Sequence, residues 1–176
     1  VFSTATVVRI SGGDFNDGLI SGMQALRGAF FRPNIVFLRI GDGVGPGRLV
    51  DEELKRVVRS AERERMGTLL WVPHPVTALG QRNRINVWIR DRSPDWKIGW
   101  DIGNLDLSIL TALKLRKNWA ADLRLLMVVG READEENGRA FMEDFVSLAR
   151  VHDAERIVES GEFAHWVSEM PQADLS

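Results

Sequence analysis

Residues 84–129, RINVWIRDRSPDWKIGWDIGNLDLSILTALKLRKNWAADLRLLMVV, spell out one strand-helix-strand crossover. Asn86 to Ile89 reads as a strand, Asn104 to Arg116 as a helix, and the apolar run from Leu123 to Gly130 as a second strand. The opening Leu105-Asp106-Leu107-Ser108-Ile109 alternates like a strand, but Ala112-Leu113-Lys114-Leu115-Arg116-Lys117 continues it with strong helix formers. Leu105, Ile109, Ala112 and Leu113 make one stripe of that helix, while Leu107 and Leu115 lie elsewhere. The helix is therefore expected to contact something besides its own sheet. The loop ahead of it holds Trp96 and Trp100 among Asp91, Arg92, Asp95, Lys97 and Asp101. Aromatic rings with basic neighbours suit an interface; equally, rings placed there cover the end of their own sheet. Trp96, Trp100, Leu107 and Leu115 are the candidate contact residues.

Working outward, Thr4 to Ile10 reads as a first strand centred on Val7-Val8. Asp14 is placed to N-cap a helix carrying Leu19, Ile20, Met23, Leu26 and Phe30 near one face. Gly18, Gly22 and Gly28 weaken it, so it needs packing to persist. A second strand spans Asn34 to Ile40. The next helix, from about Asp51 to Arg65, has Leu54, Val57, Val58 and Ala61 on one stripe, a Glu52–Arg56 pair, and Gly67 where it must stop. Thr68 to Val72 is a third strand, ended by Pro73-His74-Pro75, and a polar loop follows to Arg84. Beyond the crossover, Glu132 to Arg150 is a helix with Phe141, Phe145 and Leu148 as its core stripe. Glu155 to Val158 is a candidate sixth strand, and Glu162 to Glu169 a last helix. The alternation specifies a three-layer α/β domain, a mostly parallel sheet of about five strands with helices on both faces.

At 176 residues the chain suits a single α/β domain. Its 23 basic and 25 acidic residues give a net charge of −2, without the footprint of a nucleic-acid binder. With no cysteine there is neither a disulfide framework nor a thiolate metal site. No apolar run is long enough to cross a bilayer as a helix. Val1 and the end at Ala173–Ser176 read as cuts in a longer protein.

Chemistry is sparse. The Gly41–Gly47 loop lacks the Gly-Lys-Ser/Thr ending of a phosphate loop, and Asp51 and Glu52 occupy the helix end a phosphate would need. Asp14 and Asp17 suit an acid–base pair or a divalent cation, but capping and dipole contact explain them better. His74, His152 and His165 are too scattered for zinc. Ser11 precedes two glycines, yet no Gly-x-Ser-x-Gly surrounds it and no base is assigned. Arg27, Arg32, Arg116 and Lys117 suit an anionic lipid surface, although solvated helix ends account for the same residues. No catalytic, metal or cofactor site is assigned.

Ile85-Asn86-Val87-Trp88, Leu107-Ser108-Ile109-Leu110-Thr111, the Lys117-Asn118-Trp119 corner and Leu123-Arg124-Leu125-Leu126, read with Asp14–Ile20 and Phe31–Val36, resemble the C-terminal domain of cation-chloride cotransporters. The prokaryotic Na-K-Cl type is the most similar. The resemblance implies a cytosolic domain that follows the transmembrane helices and acts in dimerisation and regulation of transport. Its α/β halves are similar to universal stress proteins. The chain would be one such half, a single subdomain 1–176 of a larger domain, cut before a further strand starting near Ala173. It implies a homodimer, contact with the transmembrane domain of the same protein, a place on the cytoplasmic side of the plasma membrane, and no small-molecule substrate. The alternative is a universal-stress-like nucleotide-binding module. Its glycine-spaced loop would correspond to Gly130 and Gly138, but the four carboxylates of Arg131-Glu132-Ala133-Asp134-Glu135-Glu136 repel a triphosphate.

Overall fold

The computed structural model of the protein describes residues 13–30, 32–40, 52–98 and 105–176. The strand expected at Thr4–Ile10, Ser11, the Gly41–Gly47 loop and Trp100 lie outside the described residues. The chain divides into two compact units, Val1–Val76 and Thr77–Ser176. Five described strands are all parallel, as expected, but they form two sheets, one of two strands and one of three. The reason lies in the segment between the third and fourth expected strands. Neighbouring parallel strands need a long crossover, usually a helix. Residues 72–83 instead hold Pro73, Pro75 and turns with left-handed backbone at Ala78, Gly80 and Arg82.

In the first unit, α1 (Phe15–Leu26) and α2 (Glu52–Arg63) accompany β1 (Ile35–Arg39) and β2 (Gly67–Trp71). Met23, Val36, Val57, Ala61 and Met66 form its core, with Leu19, Ile20 and Leu38 against them. α1 ends at Leu26, earlier than the apolar spacing suggested, because the chain turns at Arg27-Gly28. Phe30, expected on its face, is 95% exposed. α2 is stopped by Arg65, which takes the left-handed conformation, while Gly67 already begins β2. Glu52 pairs with Lys55 at 2.7 Å, and Arg56 with Glu53 at 3.0 Å.

The second unit runs β3 (Arg84–Ile89), α3 (Leu105–Trp119), β4 (Asp122–Val129), a short 3-10 turn (Glu132–Asp134), α4 (Glu135–Ala149), β5 (Glu155–Ser160) and α5 (Phe163–Glu169). The sheet order is β3-β4-β5. As the central strand, β4 is covered on both faces, which explains its nearly continuous apolar run. Leu123, Leu125, Met127 and Val129 face Ile109 and Ala112 of α3 and Phe141, Met142, Phe145 and Val146 of α4. Leu126 and Val128 face the other way, against Trp166 of α5 and Met170 just after it. Helices thus lie on both faces of this sheet.

α3 and α4 also differ from expectation. α3 continues through the Lys117-Asn118-Trp119 corner and ends at Ala120, whose left-handed backbone makes the turn. On α4 the buried residues are Gly138, Phe141, Met142, Phe145 and Val146, with Ala149 partly buried; Leu148, at the margin of that stripe, is 66% exposed.

The chain's last residues lie along the outer edge of β3. Leu175 makes a parallel bridge with Ile85: its N–H donates to the Arg84 carbonyl at 3.3 Å, and the Asn86 N–H donates to its carbonyl at 2.8 Å.

Candidate functional site

In parallel α/β sheets, ligands bind beyond the carboxyl ends of the strands. Here that rim is formed by Asp91–Ser93 after β3, Gly130-Arg131 after β4 and Ser160-Gly161 after β5. Several of its described polar groups pair with one another. Asp91 accepts hydrogen bonds from the Ser93 N–H at 2.7 Å and the Gly130 N–H at 3.0 Å. Partial burial pushes the Asp91 carboxyl up, but these donors and the nearby Arg131 charge outweigh it and hold the group below the usual range. Arg131 in turn donates to the buried Asp134 at 2.7 Å. Glu135 is held low by Ser160 and then by Arg139, 2.5 Å away. A phosphate arriving at Gly130 would find its N–H donor already occupied by a carboxylate.

A second constellation sits at the opposite end of the sheet. Asp174 accepts N–H hydrogen bonds from Gln81 at 2.8 Å, Asn83 at 2.8 Å and Arg84 at 3.0 Å. Successive backbone N–H groups form a concavity for an anion, and here the anion is a side chain of the protein. Gly80, with φ +50°, is required, since a Cβ there would collide with Asp174 Oδ1. Around it, Asn86 donates to the Pro171 carbonyl at 2.9 Å and Trp88 to the Ser176 hydroxyl at 2.7 Å. The Asp174 carboxyl is held below its ordinary range, first by Asn83 and then by Gln81; Arg116 does the same for Asp153.

Such depressed carboxyls contribute stability that is fully present above their unfolded pKa of about 4 and is lost as pH falls through the folded values. Denaturant midpoints measured against pH should therefore fall on acidification below about pH 4. Asp174→Asn should lower the neutral-pH midpoint and flatten part of the acid limb. An unchanged limb would exclude Asp174 from it.

Residues 80–176 match the family model for the second part of the prokaryotic cation-chloride cotransporter C-terminal domain, and residues 1–79 match the model for its first part. The chain belongs to this family. Among solved structures, it is similar to the cytoplasmic domain of a prokaryotic cation chloride cotransporter, with 36% identity and a TM-score of 0.79. That alignment covers 92% of the present chain but 60% of the solved one. Comparison with curated proteins gave no significant match. The boundary between the two matched parts of the cotransporter domain, at 79/80, falls in the connection that lacks a crossover helix.

Within this cotransporter domain, the candidate contact residues part company. Trp96 packs on the core of the second unit, its ring 6.2 Å from that of Phe141, and Leu115 packs on the same core. Leu107 is half-buried, on the side of α3 away from the buried Ile109 and Ala112. Leu110, 63% exposed, is the outward leucine that the sequence reading passed over. The missed signal is its position off the Ile109–Ala112–Leu113 stripe.

Several of the remaining charged candidates have local partners. Arg56 lies 2.5 Å from Asp17 and 3.9 Å from Asp14, so the aspartates are neutralised by a neighbouring helix. Asp14 holds the N-cap position of α1 without a side-chain capping hydrogen bond. Arg27 faces Glu64 at 3.6 Å, Arg32 donates to the Glu64 carbonyl, and Arg116 pairs with Asp153. His74 accepts from the Val76 N–H at 3.2 Å, and His165 packs edge-on to Trp166. Among the described residues, no three His, Asp or Glu side chains are grouped to hold a metal ion. Nor is any helix among them long and apolar enough to cross a membrane.

Proposed function

We propose that this chain is a non-catalytic part of the cytosolic domain of a cation-chloride cotransporter, pairing protomers and biasing the transport cycle carried out by the membrane part. The observation that carries this reading is the internal pairing of the rim: Asp91 occupies the Gly130 N–H, and Arg131 is bound to Asp134. A rim braced by its own side chains suits a packing module, whose influence on a transporter is exerted by contacts that differ between conformational states. The longer solved relative, described as a cytoplasmic domain, supports a place on the cytoplasmic side of the membrane within a larger domain. The parallel bridge of Leu175 on the β3 edge supports a further strand there.

Leu107 and Leu110, near the outward side of α3, are the candidate pairing surface. Sedimentation equilibrium of the protein should show a monomer–dimer equilibrium, and Leu110→Asp should move it toward monomer without changing the circular dichroism spectrum. Monomer alone at every concentration would exclude pairing through this chain. The rival reading as a nucleotide-binding module is met by calorimetry in the same samples: saturable heat with Mg-ATP would overturn the present one.

A further inference from the structure

On the α5 side of the second unit, the three-stranded sheet is covered unevenly. α5 spans seven residues, none of them buried. Trp166 leans toward β5, donating its indole N–H to the Ser160 carbonyl at 2.8 Å. Phe163 leans the other way, its ring edge-on to Trp88 of β3 at 5.2 Å. Phe163 and Val167, one turn apart and therefore on one stripe, are 56% and 52% exposed. Through Phe163 the stripe reaches Trp88 on the β3 side of the sheet.

Chain topology says what belongs beside it. From β3 to β4 to β5 the chain steps in one direction, and right-handed crossovers put α3 and α4 on one face. From β5 it returns past β3 to Leu175, so the same handedness puts α5 on the opposite face. A parallel strand at Leu175 that continues outward must cross over on that same opposite face. Its helix would come down next to α5, over the edge bearing Phe163, Val167 and Trp88.

We infer that Phe163, Val167 and Trp88 are the seat of a helix from a later part of the same cytosolic domain, delivered by a right-handed crossover beyond the Leu175 strand. The inference rests on the chain being part of a larger domain, a reading supported by the solved relative of which it spans 60%. It does not depend on whether that domain regulates transport.

Hydroxyl-radical footprinting of the 176-residue chain and of the parent cotransporter in detergent tests it. Phe163 and Val167 should be labelled heavily in the former and several-fold less in the latter, at every protein concentration. Leu148, 66% exposed and on α4, reports protection on the opposite face. Equal labelling of Phe163 and Val167 in both proteins would overturn the inference. So would protection that appears only as concentration rises, which would assign the stripe to a second copy. Altered transport regulation or pairing in other assays would leave either footprint unchanged, so this inference and the regulatory reading fail separately.

Discussion

Leu125→Ala is expected to cost about 2–5 kcal/mol, enough to leave a domain of ordinary stability close to its unfolding threshold. Leu125 has no exposed surface and sits in the middle of the central strand, paired with Val87 on one side and Arg156 on the other. Its side chain belongs to the cluster shared with α3 and α4. Truncation removes buried methyl and methylene groups and leaves a cavity that two hydrogen-bonded neighbours prevent the backbone from closing. Leu148→Ala is the matched control: the same substitution at a 66% exposed helix position should stay within about 0.5 kcal/mol. Urea unfolding of the two variants, with slopes checked against the parent, measures both. Similar midpoints would mean that the β4 core does not carry the stability of this unit.

Gly138→Leu should be the next most damaging change, losing about 1–3 kcal/mol through overpacking. Gly138 lies in α4 where the helix backbone comes closest to the sheet. A Cβ there would stand 3.0 Å from Val158 Cγ1 and 3.3 Å from both Met127 Sδ and Val129 Cγ1. These are buried neighbours on two adjacent strands, so a larger side chain has to lift the helix. Gly138→Ala is expected to be nearly neutral, because the gain of about 1 kcal/mol in helix preference is offset by that crowding. If thermal melts showed Gly138→Leu as stable as the parent, close helix–sheet approach would not be what this glycine provides.

Much of the second unit was legible because burial on both faces writes β4 as a continuous apolar run and because α4 keeps a helical stripe through Phe141 and Phe145. Endings were less legible. α1 and α3 stop where Arg27-Gly28 and Ala120 turn the backbone, and such turns depend on tertiary packing more than on propensity. The split into two sheets was hidden for a related reason: periodicity finds strands, but it does not say which strands pair. Only the missing helix between Val72 and Asn83 marks the break. The rim chemistry was illegible because Asp91 and Gly130 lie 39 residues apart and meet only through the β3–β4 pairing. Leu148 and Leu110 show the limit of stripe reasoning, since a residue at the margin is exposed or covered according to what its neighbouring elements reach.

Asp174 gives the second unit a mechanical property. The segment entering β3 and the segment leaving after α5 are fastened at one spot, by three N–H bonds to one carboxylate and by the Leu175 bridge. Tension applied through the two flanking segments would load that clasp before it reached the sheet. Pulling the two segments apart would have to break that clasp before it disturbed β3, β4 and β5.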